Sequence, residues 1–134
     1  MTTKMTIQEI EQKGYAAVIA YEAKRGRRAT VVTGKGYDVL SKAKGDERHI
    51  EVKARAKPTL HFVMLRQREF DAMRKDKKFY LYVVTNVARE PMVKEYAKDD
   101  VLKRFGGVDR RAWFRPEYWL CGVGPLQALI ITAI

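Results

Sequence analysis

Residues 79–85 read FYLYVVT, an uncharged run with no alternation of apolar and polar side chains. A strand with one solvated face alternates, so this run predicts a strand covered on both faces. Within 134 residues, the way to cover both faces of a strand is a sheet with helices layered against it. Upstream, residues 48–54 read RHIEVKA and do alternate: His49, Glu51 and Lys53 share one face, and Ile50, Val52 and Ala54 share the other. An α/β fold with a mixed central sheet is therefore expected, with one strand presenting a charged row and its neighbour wholly buried.

The remaining elements arrange themselves around those two strands. Thr6-Ile7-Gln8-Glu9 has the form of a capping box that opens a helix. Ile7, Ile10, Gly14, Ala17, Val18 and Tyr21 follow helical spacing and predict a core-facing stripe, with Gly26 as the stop. Ala29 to Thr33 and Tyr37 to Ser41 read as strands around the turn Gly34-Lys35-Gly36, and Lys44-Gly45-Asp46 turns the chain into the strand at 48–54. After Pro58, a charged helix is expected from Arg66 to about Asp76, with Leu65, Ala72 and Met73 on its inner side. The order helix, three strands, helix, strand predicts a meander on one side of the sheet and a crossover on the other.

A single domain is expected, with residues 1–90 as its core and 91–134 as a C-terminal extension. Asp99 to Phe105 reads as a short helix ended by Gly106-Gly107, and Trp113, Phe114, Tyr118 and Trp119 crowd together behind it. Leu126 to Ile134 is almost wholly apolar, and such a strand needs a cover. A homodimer built on this extension is the expectation, with pairing inside the monomer's own sheet as the other solution.

The charge balance narrows the partners. Twenty-seven basic against 16 acidic residues leave a net charge of +11. An excess of that size on a small domain points to a polyanion, because each neutralised phosphate releases a counterion. The basic residues cluster: Lys24, Arg25, Arg27 and Arg28, then Lys53, Arg55 and Lys57, then Arg66 and Arg68 with Arg74, Lys75, Lys77 and Lys78. No apolar run reaches the ~20 residues of a membrane span, and no segment pairs a basic face with bulky apolar residues, so nucleic acid is favoured over a membrane. The polar start carries no signal-peptide pattern, and the single cysteine, Cys121, can form no internal disulfide and no cysteine zinc site. A cytoplasmic location is expected.

Asp38, Glu51 and Lys53 carry the chemistry. Asp38 follows the glycine turn, and Glu51 and Lys53 leave one face of the next strand, so a hairpin lets Asp38 face Glu51 across the ladder. Two hard carboxylates at close range repel unless a cation joins them. Mg²⁺ (or Mn²⁺) suits such a pair, since it takes one or two protein carboxylates and fills its shell with water and phosphate oxygens. The carbonyl oxygen of Val52 can complete the protein ligands. Lys53 can orient the attacking water or stabilise charge on the phosphorane. Glu22, one turn past Val18, can point along the core toward the same place. Glu-x-Lys on its own is a common cross-strand pair; its weight comes from the glycine turn, the spacing and the basic surface around it.

Glu22, then Gly36-Tyr37-Asp38-Val39-Leu40-Ser41, Ile50-Glu51-Val52-Lys53-Ala54, Gln67-Arg68-Glu69 and Tyr80-Leu81-Tyr82-Val83-Val84 together resemble the PD-(D/E)xK nuclease superfamily. Within it the likeness is closest to the NO VEIN C-terminal-like domain. It runs from about Thr6 to Asn86, and it departs from the usual pattern at Tyr37, where a proline normally precedes the first acid. The resemblance implies a restriction-endonuclease-like core, Asp38 and Glu51 as metal ligands, Lys53 as the catalytic lysine, Glu22 as the first-helix acid, and Gln67 or Glu69 as an accessory polar residue. The function so implied is metal-dependent endonuclease action on double-stranded or branched DNA. The alternative is a non-catalytic module of the same fold that binds nucleic acid or docks a partner.

Overall fold

A computed structural model of the chain describes residues 4–104 and 118–123. Helix α1 (Ile7–Lys24) leads into strands β1 (Arg28–Val31), β2 (Val39–Ala43) and β3 (Asp46–Ala54). Then follow β4 (Phe62–Arg66), helix α2 (Gln67–Lys75), β5 (Phe79–Thr85), β6 (Met92–Ala97), helix α3 (Lys98–Arg104) and β7 (Tyr118–Gly122). The main sheet has the order β1-β2-β3-β5-β6. Only β3 and β5 run parallel; every other neighbouring pair in this sheet is antiparallel. The meander and the crossover expected from the sequence are both present. Strands β4 and β7 form a separate antiparallel pair.

The uncharged run behaves as a doubly covered strand must. From β5, Tyr82 and Val84 join Val18 of α1, Val39, Ile50 and Val52 on one face of the sheet. Phe79, Leu81 and Val83 point the other way, into a core with Val63, Leu65, Phe70, Met73, Val101 and Cys121. Each fully buried side chain of this kind contributes about 1.5–3 kcal/mol relative to exposure, so β5 is the element both layers depend on. Among the described residues no helix is long and apolar enough to cross a membrane.

Helix α1 begins and ends as its sequence dictates. The Thr6 hydroxyl accepts the Glu9 amide at 3.1 Å. At the far end Gly26 takes φ +77°, and the amides of Gly26 and Arg27 donate to the carbonyls of Ala23 and Glu22. This Schellman closure returns the chain against the helix's last turn.

Several elements escaped the sequence reading. The chain between Pro58 and the second helix contains β4, so Leu65 is a strand residue and α2 starts at Gln67. β6 and β7 were not foreseen, while the short helix after Ala97 was. Leu126 to Ile134, on which the dimer expectation rested, lie outside the described residues, as do Trp113 and Phe114. The stripe on α1 also departs at one point: Ile7 is 83% exposed.

Gly14 sets the distance between α1 and the sheet. A Cβ at this position would lie 2.7 Å from the Cβ of Ala54 on β3, a fixed atom that cannot rotate away. Helix propensity favours Gly14→Ala by ~1 kcal/mol, but overpacking of a closed contact costs about 1–3 kcal/mol. The substitution is expected to lower the unfolding midpoint in urea with an unchanged m-value. A rise in the midpoint would show that α1 can slide on β3.

Candidate active site

The β2–β3 hairpin builds the site. Its register pairs Val39 with Ile50 and Leu40 with His49, so one residue outward Asp38 stands opposite Glu51. The Asp38 amide donates to the Ile50 carbonyl, and the Val32 amide donates to the Asp38 carbonyl. Gly34 and Gly36, at φ +70° and +84°, allow the sharp return of the loop just before it. The Asp38 side chain is pinned as well: its Oδ2 accepts the backbone N–H of Val52 at 2.8 Å. Val52 itself turns its side chain to the α1 face, in agreement with the alternation read from the sequence.

Glu51 and Lys53 therefore leave β3 on the face away from α1, where α2 supplies a further acid. Glu69, in the first turn of α2, accepts the Arg66 amide at 2.8 Å, which holds it at the helix N-terminus. Both of its oxygens also accept from Lys53 Nζ at 3.3 Å. Glu51 is 4% exposed. Burial, then hydrogen bonding to Glu69 and to Asp38, push its carboxyl up to about 11. Burial alone would also raise Glu69. The hydrogen bond from Glu51, the Lys53 charge and the Arg66 amide outweigh it and hold Glu69 below the usual carboxylate range. Without a cation the cluster thus keeps a proton on Glu51.

Asp38, Glu51 and Glu69 open onto a cleft of about 600 Å³, which Glu11, Tyr15, Tyr37 and Arg68 also line. The Tyr15 hydroxyl donates to Glu11 Oε1 at 2.9 Å. Burial, then the negative charge of Asp38, raise the Tyr15 phenol and keep it protonated. Tyr37 stacks flat on His49, with ring centroids 4.2 Å apart. His49 Nδ1 and Nε2 lie 2.6 and 2.7 Å from Asp76 and Glu47. Both ring nitrogens are thus engaged by carboxylates, so His49 anchors the loop.

Glu22 is placed elsewhere. It is fully buried, and its Oε1 accepts from the Ser41 hydroxyl at 2.7 Å and lies 3.3 Å from Arg27 Nε. Ser41 shares the α1 face of the sheet with Val39, opposite to Glu51. The Schellman turn delivers Arg27 to Glu22, and this ion pair offsets the charge of the buried carboxylate. Glu11 lies eleven residues earlier on the same helical stripe, about 16 Å along the axis at ~1.5 Å per residue, and it is the acid of α1 that lines the cleft. Glu11, Tyr15, Val18 and Glu22 follow helical spacing; which end meets the site depends on where α1 crosses β3.

The basic residues divide in the same way. Arg27 is largely buried, bonded to Ser41 and, at 2.6 Å, to Asp46, so it is a structural residue. Arg25 pairs with Glu95 at 2.7 Å. Lys24, Arg28, Arg55, Lys57, Arg66 and Arg68 are exposed, and of these Arg68 lines the cleft. Gln67 donates to Asp71 along its own helix at 2.9 Å.

Among the described residues no three His, Cys, Asp or Glu side chains form a ready-made cage for a metal ion. The donor set nonetheless fits a hard cation. Asp38 and Glu51 are oxygen donors facing one cleft, and Mg²⁺ needs only one or two protein carboxylates. A cation there would also replace the proton that Glu51 otherwise keeps.

The family described as "Protein NO VEIN, C-terminal" matches residues 10–96. No curated protein matches the chain. Among solved structures, Hjc of Archaeoglobus fulgidus, a Holliday junction resolvase from an archaeal hyperthermophile, superposes with a TM-score of 0.54. It shares 14% identity, and the match covers 88% of this chain and 93% of Hjc. At that identity the likeness shows a common fold.

The raised Glu51 carboxyl makes a pH prediction. Its folded value lies above the ~4.3 of an unfolded glutamate, so its contribution is full below that value and is lost as pH rises toward about 11. Metal-free protein should melt at a lower temperature at pH 9 than at pH 6. Glu51→Gln should raise the pH 9 midpoint and remove most of the difference. Equal pH dependence in both proteins would contradict the buried, protonated state.

Proposed function

The chain belongs to the NO VEIN C-terminal family, and from that premise we propose that it is a PD-(D/E)xK-type endonuclease that hydrolyses phosphodiester bonds in double-stranded or branched DNA with Mg²⁺ or Mn²⁺. One observation carries this reading. A glutamate that is 4% exposed faces one open cleft together with the carboxyl groups of Asp38 and Glu69, the latter paired with Lys53, in a protein of net charge +11. Burying a carboxyl in such company is costly, and a binding module for phosphates has no use for it.

Asp38 and Glu51 would hold the ion, with the Val52 carbonyl as a third donor. Bound there, Mg²⁺ or Mn²⁺ would neutralise phosphate charge and lower the pKa of a coordinated water. Lys53 would orient an attacking water and meet the charge developing on the phosphorane, a role worth about 10²–10³ in rate. Glu69 is the positioning residue for Lys53, since its two oxygens fix the ammonium from the side of α2. Glu11 accepts the Tyr15 hydroxyl at the cleft wall and adds a carboxylate to the lining. Arg68 beside the cleft, with the exposed Arg55, Lys57 and Arg66, would contact the phosphate backbone, which positions DNA without reading its sequence. As a homodimer the protein would present two such clefts to one duplex.

With Mg²⁺ or Mn²⁺, purified protein should nick or cut linear or branched DNA. Asp38→Asn and Lys53→Met should each lower that rate by at least about 10²-fold while retaining low-salt binding. Glu22→Gln should cut as the unmodified protein does. Arg68→Ala should reduce the slope of log affinity against log salt by about one. Salt-sensitive binding with no cleavage of any DNA form would favour the non-catalytic reading. Cleavage undiminished in both Asp38→Asn and Lys53→Met would assign the chemistry to other residues.

A further inference from the structure

Ile7 is the least covered large apolar side chain among the described residues, at 83% exposure, against 55% for the next, Met92. It stands at the first position of α1, directly after the Thr6 cap that fixes this turn. Ile7 and Ile10 form one wall of a second groove, of about 220 Å³, whose other wall is Val52, Lys53, Ala54 and Arg55 at the end of β3. Glu11 lines both this groove and the acidic cleft, so the two are neighbours. An apolar side chain thus projects from a rigid helix end beside Lys53, with the exposed Arg55 guanidinium across the groove.

We propose that Ile7, supported by Ile10, is a wedge that packs against an unstacked base step of the nucleic acid lying in the cleft, so that the site selects forked or distorted DNA over continuous duplex. This rests on the nuclease reading of the cleft. Two features commit the occupant to nucleic acid. The groove shares Lys53 and Glu11 with the site, and Arg55 gives its rim the charge a phosphate backbone requires. Apolar side chains of this size enter DNA between base steps, and the exposed π-face of an unpaired base offers the cover that Ile7 lacks. A continuous duplex must be unstacked to supply the same contact, whereas a fork already exposes it.

The test uses the full chain and a forked duplex carrying 2-aminopurine at its first paired step, with a matching continuous duplex as reference. Without metal ions, the unmodified protein should raise the emission of the fork well above that of the duplex. Ile7→Ala should remove this rise and reduce the preference for cutting forks by about tenfold, with cleavage of continuous duplex unchanged. Ile7→Leu should keep both. Folding is not at issue for a residue this exposed, and circular dichroism should be identical. An Ile7→Ala protein that keeps both the emission change and the preference overturns the wedge. Cleavage of DNA with no dependence on Ile7 overturns the wedge while leaving the nuclease reading. An Ile7-dependent emission change without cleavage of any DNA supports the wedge and overturns the nuclease reading. Self-association that Ile7→Ala abolishes, with both DNA readings unaltered, would assign the groove to a second copy and overturn the proposal.

Discussion

Everything at the candidate site depends on the pairing of Asp38 with Glu51 across the β2–β3 hairpin. The register that places Val39 against Ile50 brings the two carboxyl groups to one side of the sheet, and the Val52 amide holds Asp38 there. Parallel pairing of β3 with β5 then buries the strand that carries Glu51 in the middle of the sheet. A one-residue slip would turn Glu51 and Lys53 into the α1 core and expose Ile50 and Val52. The apolar alternation that stabilises the fold and the charged alternation that forms the site are thus one pattern, and neither can change without the other.

The acids are crowded by architecture, with no local compensation for Glu51. Glu69 is stabilised as an anion by Lys53 and by the helix-start amide, whereas Glu51 keeps a proton. A site of this kind holds its metal-free state at some cost in stability, which a cation bound there would relieve. Glu22 shows the contrasting case. Equally buried, it is matched by Arg27 and Ser41 and belongs to the fold.

The strands at 48–54 and 79–85, the hairpin and the first helix were legible because burial on one or both faces leaves a strong pattern in sequence. β6 is an edge strand with mixed exposure, so Met92–Ala97 carries little periodic signal. β4 is five residues running directly into α2, and its Leu65 reads as part of the inner side of that helix. Asp38, Glu51, Lys53 and Glu69 were singled out in the sequence; the structure puts Asp38, Glu51 and Glu69 on one cleft and pairs Lys53 with Glu69. Glu11 was missed because helical periodicity identifies a stripe and not the end of it that meets the sheet. The role of Arg27 was equally hidden: its neighbours Lys24, Arg25 and Arg28 are exposed, and only the turn at Gly26 sends it inward.

The central claim is that Asp38 and Glu51 form a cation site. Crystals soaked in Mn²⁺ and measured at the manganese edge test it most directly. The account predicts an anomalous peak in contact with carboxylate oxygens of both Asp38 and Glu51, absent from crystals of Asp38→Asn. A peak on other residues, or none between these two at saturating Mn²⁺, would contradict it.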